Sequence, residues 1–197
     1  MVYAPQNPLI VQSDRSLLLE VDNPLYSSAR DQLARFAELE KSPEHIHTYR
    51  ITPLSLWNAA SAGLTPEAAV EILARFSKFD LPNNVLVDIK DYISRFGRIK
   101  MIKSDAGDLL LKSEDPMLIA EVSRNKRVAP HVLAQPDRNT LKIDPRMRGH
   151  IKQALVIFGY PAEDLAGYNK GTPLAIELRT TGLDGDPFGL RAYQEDA

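Results

Sequence analysis

The sequence predicts an α+β protein: an N-terminal hairpin and strand, a winged-helix-like unit of three helices and a ribbon, and then a small α/β module. Apolar residues recur at helical spacing in three runs between residues 52 and 97. Each run has a proline in its first turn, where the missing N–H group costs nothing. From Arg98 the spacing changes to alternation, and residues 105–108 supply turn chemistry between two short strands. Three helices followed by a hairpin is the element order of a winged helix.

The composition is that of an ordinary soluble globular protein. The 197 residues are 44% hydrophobic and 25% charged, which is enough to bury a core. There is no cysteine, which excludes a disulfide framework and a thiolate metal site. No apolar run approaches the ~18 residues of a membrane span, and no signal pattern opens the chain, so we expect a cytoplasmic protein. With a net charge of -2, any contact with DNA must come from local patches.

Ahead of the three helices, the pattern predicts a hairpin, a helix and a further strand. Residues 9–11 and 17–21 are apolar except for Glu20 and flank a turn at residues 13–15. A helix opens at Asn23-Pro24 and fades into a charged run over residues 38–44. Residues 45–50 alternate and are predicted to form a strand that pairs with the hairpin.

The three central helices begin at Thr52-Pro53, Thr65-Pro66 and Pro82-Asn83. Glycines end the first and the third, at Gly63 and Gly97. The second presents Ala69, Ile72, Leu73, Phe76 and Phe79 on one face. Trp57 lies on an apolar face of the first helix. We expect it in the core, packed against Leu56, Phe76 and Ile89.

After the ribbon, Asp115-Pro116 opens a short helix, and the texture of the sequence changes near Asn125. We therefore divide the chain into an N-terminal domain of residues 1–126, a small module of residues 127–180 and a linker-like segment of residues 181–197. The predicted elements of the second part are strands at 128–133 and 140–143, a helix from Asp144-Pro145 to Gly159, and a strand at 174–178.

The residues that could carry catalysis do not form a constellation. His45 and His47 share one face of a strand, but no third ligand is evident, so we predict no metal site. No serine lies in a G-x-S-x-G setting and no carboxylates are paired. The chain also lacks the G-x-x-x-x-G-K-[ST] loop that cradles ATP phosphates. We predict that this chain is not an enzyme and holds no cofactor.

Basic residues gather in places where they could meet DNA phosphates. The candidate DNA-binding residues form a first group around the ribbon and a second group after the helix at 116: Arg95, Arg98, Lys100 and Lys103, and then Arg124, Lys126 and Arg127. A third group, at the start of the last helix, comprises Arg146, Arg148, His150 and Lys152. A solvated face is the alternative interpretation of the first group, and a winged helix is also a common protein–protein module.

Five stretches of the chain together resemble one family. They are N-P-L-I-V-Q-S-D at 7–14, L-L-E-V at 18–21, P-E-H-I-H-T-Y-R-I-T at 43–52, S-L-W-N-A-A-S-A-G at 55–63 and L-R-A-Y-Q at 190–194. The pattern resembles the XPB (xeroderma pigmentosum group B) DNA repair helicases in their bacterial form. In superfamily 2 helicases a glutamine just before the first motor helix reads the adenine of ATP. The resemblance therefore marks Arg191, Tyr193 and Gln194 as an incomplete nucleotide-binding motif.

The resemblance implies that this chain is the region preceding two RecA-like motor lobes of an ATP-dependent 3′–5′ DNA helicase. Residues 181–197 would then comprise the linker and the truncated start of the first motor lobe. ATP and Mg²⁺ would then serve the full-length parent, and residues 127–178 would correspond to the family's damage recognition domain. The implied partners are DNA, the parent's own motor lobes and a protein docked on the N-terminal domain, as in the eukaryotic factor TFIIH. The rival interpretation is a stand-alone winged-helix module that binds a protein or DNA and has no motor.

Overall fold

A computed structural model describes residues 3–167, 171, 174, 179, 181–182, 184–187 and 189. The chain divides into two units, residues 1–167 and residues 168–197. In the second unit Thr181 and Pro187 form an antiparallel bridge, and the N–H of Gly182 donates to the carbonyl of Asp186 at 2.8 Å. The strand predicted at 174–178 lies outside the described residues except for its first position.

The described part of the first unit is a mixed α+β structure with two sheets and six α-helices, which confirms the predicted class. The strands are β1 (Leu9–Val11), β2 (Ser16–Glu20), β3 (Glu38–Lys41), β4 (Ile46–Arg50), β5 (Ile99–Lys103), β6 (Leu109–Lys112), β7 (Val132–Asp137), β8 (Thr140–Ile143) and β9 (Ala162–Asp164). The helices are α1 (Tyr26–Leu33), α2 (Pro53–Ser61), α3 (Pro66–Phe76), α4 (Asn83–Arg95), α5 (Pro116–Arg124) and α6 (Arg148–Phe158). None of these helices is both long enough and apolar enough to cross a membrane.

The first sheet is antiparallel and has the strand order β1-β2-β4-β3. The predicted hairpin and its pairing with the strand after it are confirmed, with Leu17 opposite Tyr49. The charged run at 38–44 is partly a strand, β3, where only a fading helix was expected. All four residues of this edge strand are exposed. Because the strand has no buried face, its sequence does not need the alternation of apolar and polar residues by which a strand is recognised. Its charges suit an unpaired sheet edge.

The three central helices begin where the sequence predicts. The first turns of α2 and α3 are capped by side chains, whereas α4 begins directly after Pro82 without a side-chain cap. The Thr52 hydroxyl accepts a hydrogen bond from the Ser55 N–H at 3.0 Å, and the Ser55 hydroxyl accepts one from the Thr52 N–H at 3.0 Å. The Thr65 hydroxyl caps α3 by accepting a hydrogen bond from the Ala68 N–H at 3.2 Å. Gly97, just after α4, has a φ of 77°, a left-handed conformation that favours glycine.

Helices α1 to α4 pack on one face of the first sheet to form the first core. Its largest fully buried side chains include Leu9, Leu17, Leu19, Leu33, Phe36, Ile51, Leu56, Leu73, Phe76 and Ile89. Phe79, predicted on the buried face of α3, lies beyond the end of that helix. Its side chain is exposed and its ring stacks on Tyr3 at 5.4 Å.

The ribbon of β5 and β6 belongs to a different sheet, with the order β7-β8-β6-β5-β9. Its inward residues, Ile99, Met101 and Leu111, enter a second core together with α5 and α6. Strand β9 runs parallel to β5, and the other pairs of strands are antiparallel. The helices and the ribbon therefore follow each other as predicted, but their side chains enter two different cores.

Two elements of the second core differ from the sequence prediction. Residues 129–131 form a 3-10 helix around Pro130, so the strand expected at 128–133 is displaced to β7. The last helix begins with a separate 3-10 turn, Pro145–Met147, before α6, and ends at Gly159 with a φ of 91°. Residues on both sides of the predicted boundary at 126–127 contribute to this core. The division into 1–126, 127–180 and 181–197 stays a prediction.

Candidate nucleic-acid interface

The two arginines of the first basic group are engaged within the molecule. Arg95, in the last turn of α4, binds Asp91 one turn earlier, with Nη2–Oδ2 and Nε–Oδ1 distances of 2.6 and 3.3 Å. The hydrogen bonds that Arg95 donates to the Asp91 carboxylate raise the pKa of Arg95 above its ordinary value. Arg98 Nη2 lies 3.6 Å from Asp115 Oδ2.

The same two guanidinium groups also contact one aromatic ring. Arg95 lies 5.4 Å and Arg98 5.8 Å from the centre of the Tyr160 ring, within the range of cation–π attraction. A Cβ atom added to Gly159 would approach Arg95 Nη1 to 3.3 Å, and the φ of Gly159 already favours glycine. These contacts join the end of α4 to the segment that follows α6.

The two lysines of the first group lie on opposite sides of the second sheet. Lys100 and Lys103 are three residues apart in one strand, so they alternate to different faces. Lys100 lies opposite Lys112 on β6 and beside Glu163 on β9. The four residues predicted as one DNA-contacting group are thus not gathered on one surface.

A cleft of about 770 Å³ opens beside the ribbon and carries balanced charge. Its lining includes three basic side chains (Arg98, Lys100 and Lys112) and three acidic side chains (Glu114, Asp115 and Glu163). Asn139 closes one wall, where its amide donates to the carbonyls of Ser113 and Glu114 at 2.8 and 3.1 Å. Because the bases face acids in the same cleft, its attraction for a phosphate is weak.

The second basic group has a different environment. Lys126 and Arg127 line a smaller cleft of about 380 Å³ together with His131 and His150. The residues that line this cleft include no aspartate or glutamate. Arg124 is exposed in the last turn of α5 and is not among the lining residues.

Most of the third basic group is paired. Arg146 binds Asp144, with an Nη2–Oδ2 distance of 2.8 Å. The hydrogen bonds from Arg146 hold the pKa of Asp144 below its ordinary value. Arg148 and Lys152 both bind Asp164, at 2.6 and 2.9 Å. His150 is the member that faces the second cleft, and sequence reasoning did not connect it with Lys126 or His131.

The two histidines considered as metal ligands bind other side chains. His45 Nδ1 lies 3.0 Å from Asp22 Oδ2, and His47 Nδ1 lies 2.9 Å from the Tyr26 hydroxyl. Across residues 3–167 and the other described positions, no three histidines or carboxylates gather as a metal site would require. Arg191, Tyr193 and Gln194 lie outside the described residues, and their role stays a prediction.

Comparison with known families defines the class of protein. Residues 9–137, well over half of the chain, match the family described as the helicase conserved C-terminal domain, and the chain belongs to that family. Among individual relatives, it is 48% identical over 187 residues to the DNA 3′-5′ helicase XPB of Mycobacterium tuberculosis. That alignment covers 95% of this chain and 33% of the relative.

Two further relatives are also named XPB. The DNA 3′-5′ helicase XPB of Kineococcus radiotolerans is 45% identical over 190 residues, which is 96% of this chain and 33% of that protein. The general transcription and DNA repair factor IIH helicase/translocase subunit XPB of Enterocytozoon bieneusi is 28% identical over 189 residues, 95% of this chain and 30% of that protein. The resemblance to bacterial XPB helicases is confirmed. The chain spans about a third of the length of these relatives.

Proposed function

We propose that this chain is the N-terminal regulatory and DNA-recognition region of an ATP-dependent 3′–5′ DNA helicase of the XPB type, acting in DNA repair. One observation carries the proposal: 48% identity to a protein named DNA 3′-5′ helicase XPB over 95% of this chain. The motor lobes are then supplied by other parts of the parent. The chain contributes DNA contacts and a docking surface for those lobes or for a protein partner.

One feature of the sequence supports the N-terminal placement. The stretch at 190–194 resembles the glutamine motif that precedes the first motor helix, and it follows both cores in chain order. The 197 residues contain no G-x-x-x-x-G-K-[ST] loop, which fits either placement. The description of the matched family, which names a C-terminal domain, favours the opposite placement behind the motor. This is the second candidate.

ATP and Mg²⁺ belong, in this proposal, to the parent protein. The described residues supply no cluster of carboxylates or histidines that fits Mg²⁺, and no loop that fits the phosphates. We therefore assign no step of ATP hydrolysis to this chain. Its residues are proposed to bind and orient DNA.

We also propose that residues 49–112 are winged-helix-like in the order of their helices and strands. The helices α2 to α4 and the ribbon are present in that order, but the ribbon packs in the second core. The basic residues of the ribbon remain candidates for phosphate contact, with Arg98 partly committed to Asp115 and Tyr160.

The order of coding segments in the gene tests the placement. We expect the reading frame to continue past residue 197 into a G-x-x-x-x-G-K-[ST] loop, and the full-length product to unwind DNA only with ATP and Mg²⁺. A motor segment upstream of residue 1 would overturn the N-terminal placement in favour of the C-terminal one. A reading frame with no motor on either side would favour the stand-alone module.

A further inference from the structure

The smaller cleft, which we call the basic cleft, is formed by one loop and one face of a helix. It is lined by Lys126, Arg127, Pro130, His131, His150, Gln153, Ala154 and Ile157. One wall is the loop between α5 and β7. In this loop Asn125 accepts a hydrogen bond from the Arg127 N–H through Oδ1 at 2.9 Å. The carbonyl of Asn125 accepts from the N–H groups of Val128 and Ala129 at 2.9 and 2.8 Å.

This loop is also anchored in the second core. Val128 is fully buried, and the carbonyl of His131 accepts a hydrogen bond from the N–H of Asp144 at 3.0 Å. Lys126 and Arg127 thus project from a backbone whose conformation is fixed on both sides. A fixed backbone removes the entropy cost of ordering this loop when Lys126 and Arg127 bind a ligand.

The other wall is one face of α6. His150, Gln153, Ala154 and Ile157 are spaced by three, four and seven residues from the first, which places them along one side of the helix. Ala154 is small and leaves space between the polar side chains and Ile157. The Ile157 side chain is 59% exposed at the end of this face.

The charge of the basic cleft is not compensated. Among the described residues, the side chains of Lys126, Arg127, His131 and His150 have no hydrogen bond and no ion pair. Asp144, whose charge interacts with His131, is itself bound by Arg146. The cleft beside the ribbon is the opposite case, since its three bases face three acids.

We propose that the basic cleft binds the phosphodiester backbone of a nucleic acid. Lys126, Arg127 and His150 donate to phosphate oxygens, and the exposed Ile157 packs against a sugar. Arginine and lysine bind phosphates strongly, imidazole N–H and glutamine amide groups donate to the same oxygens, and such contacts position a duplex without reading its sequence. This inference rests on the proposed DNA-recognition function and deepens it by assigning the surface. An acidic protein segment is the competing ligand that the test separates.

The test uses the full 197-residue chain and a short fluorescein-labelled DNA duplex, with binding followed by fluorescence anisotropy over a series of salt concentrations. The cleft variant is Lys126→Glu with Arg127→Glu. The matched control is Lys41→Glu with Lys90→Glu, two exposed lysines of the first core's elements that change the net charge by the same amount. We expect the cleft variant to bind about tenfold more weakly or worse, with a log–log salt slope smaller by about 2, because two phosphate contacts are lost. The control should stay near the parent chain.

Two further arms make the outcome specific. His150→Gln with Ile157→Ala should weaken binding by a smaller factor and leave the salt slope nearly unchanged. Inorganic phosphate should displace the duplex no better than chloride at equal ionic strength. Selective displacement by inorganic phosphate would instead assign the basic cleft to a free anion. Far-UV circular dichroism should show that all variants fold, because every substituted side chain is exposed in the parent chain.

The results separate the two proposals. Equal affinities of the cleft variant and the parent chain for the duplex would overturn the basic cleft and leave the DNA-recognition function in place. Equal loss in the cleft variant and in the Lys41, Lys90 control would also overturn it, since net charge alone would then explain binding. A parent chain that ignores the duplex but binds a polyglutamate peptide would overturn both and identify an acidic protein as the ligand.

Discussion

Trp57 shows how one side chain stabilises the end of a neighbouring helix. Helix α4 ends at Arg95, so the carbonyl of Tyr92 is among the last four, which lack regular helical donors. The nearest candidate, the Phe96 N–H, donates to Ile93 instead. Trp57 Nε1 supplies the missing hydrogen bond at 2.9 Å, and the two rings meet edge to face at 6.3 Å. The predicted burial of Trp57 is confirmed, since its exposure is 6%. The predicted packing is not, because Trp57 lies outside the cluster that contains Leu56, Phe76 and Ile89.

Trp57→Ala should therefore lower the free energy of unfolding by about 3–5 kcal/mol, and Trp57→Phe by about 1–2 kcal/mol. The first change removes the ring and the hydrogen bond, whereas the second keeps most of the ring and leaves the Tyr92 carbonyl without its donor. Urea unfolding followed by circular dichroism measures both. Leu54→Ala on the exposed side of α2 is the control and should cost less than about 0.5 kcal/mol. Equal costs for Leu54→Ala and Trp57→Ala would show that neither the burial of Trp57 nor its hydrogen bond to Tyr92 stabilises the fold.

At the scale of elements, β9 is too short to be held by its own pairing. It has three residues and, among the described strands, pairs with β5 alone, at one edge of the second sheet. Asp164 at its end is 12% exposed and accepts hydrogen bonds from Arg148 Nη2 at 2.6 Å and Lys152 Nζ at 2.9 Å. Burial raises the pKa of the Asp164 carboxyl, but the hydrogen bonds and charges of Arg148 and Lys152 outweigh it and hold the pKa below its ordinary value. The carboxylate thus fastens β9 to α6.

Asp164→Asn should cost about 1–3 kcal/mol near neutral pH, because it removes charge-assisted hydrogen bonds at a largely buried site. The folded pKa lies below the unfolded one, so the contribution of Asp164 is complete above the unfolded value near 3.8. It is lost as the pH falls through the folded value. The difference between parent and variant should therefore shrink below about pH 4. Urea unfolding at several pH values measures it.

Asp31→Asn is the matched control, since the Arg30–Asp31 pair lies on the exposed surface of α1. Its cost should be clearly smaller than that of Asp164→Asn, because solvent screens an exposed ion pair. A parent–variant difference for Asp164→Asn that is constant from neutral to acid pH would contradict the assigned role of the carboxylate.

Local signals within single elements explain which helices and strands could be predicted from the sequence. Helices α2, α3 and α5 carry a proline in the first turn and a capping Thr52, Thr65 or Asp115, signals contained within four residues. The fully exposed β3 has no such signal, because its neighbour β4 and not its own pattern makes it a strand. The displaced β7 follows from Pro130, which fits the tight 3-10 turn better than the start of a strand.

At the scale of the whole molecule, the missing phosphate loop leads to a prediction about activity. The purified 197-residue chain should show no DNA-stimulated ATP turnover, because no backbone loop of the G-x-x-x-x-G-K-[ST] type holds the phosphates. A coupled assay for released phosphate, with and without duplex DNA, measures this. Turnover that persists after a second chromatographic step would contradict it. A loss of that turnover in Gln194→Ala would point to the terminal motif.

The sequence by itself determined the mixed α+β class, most element boundaries and the resemblance to XPB helicases. These depend on caps, periodicity and short motifs, which act over a few neighbouring residues. Tertiary structure decided which charges are available for a ligand. Arg95 and Arg98 looked like free surface cations, but contacts with Asp91, Asp115 and Tyr160 engage them. His150 joins Lys126 although more than twenty residues separate them. Charge pairing depends on distances in space, and those are fixed only when the two cores form.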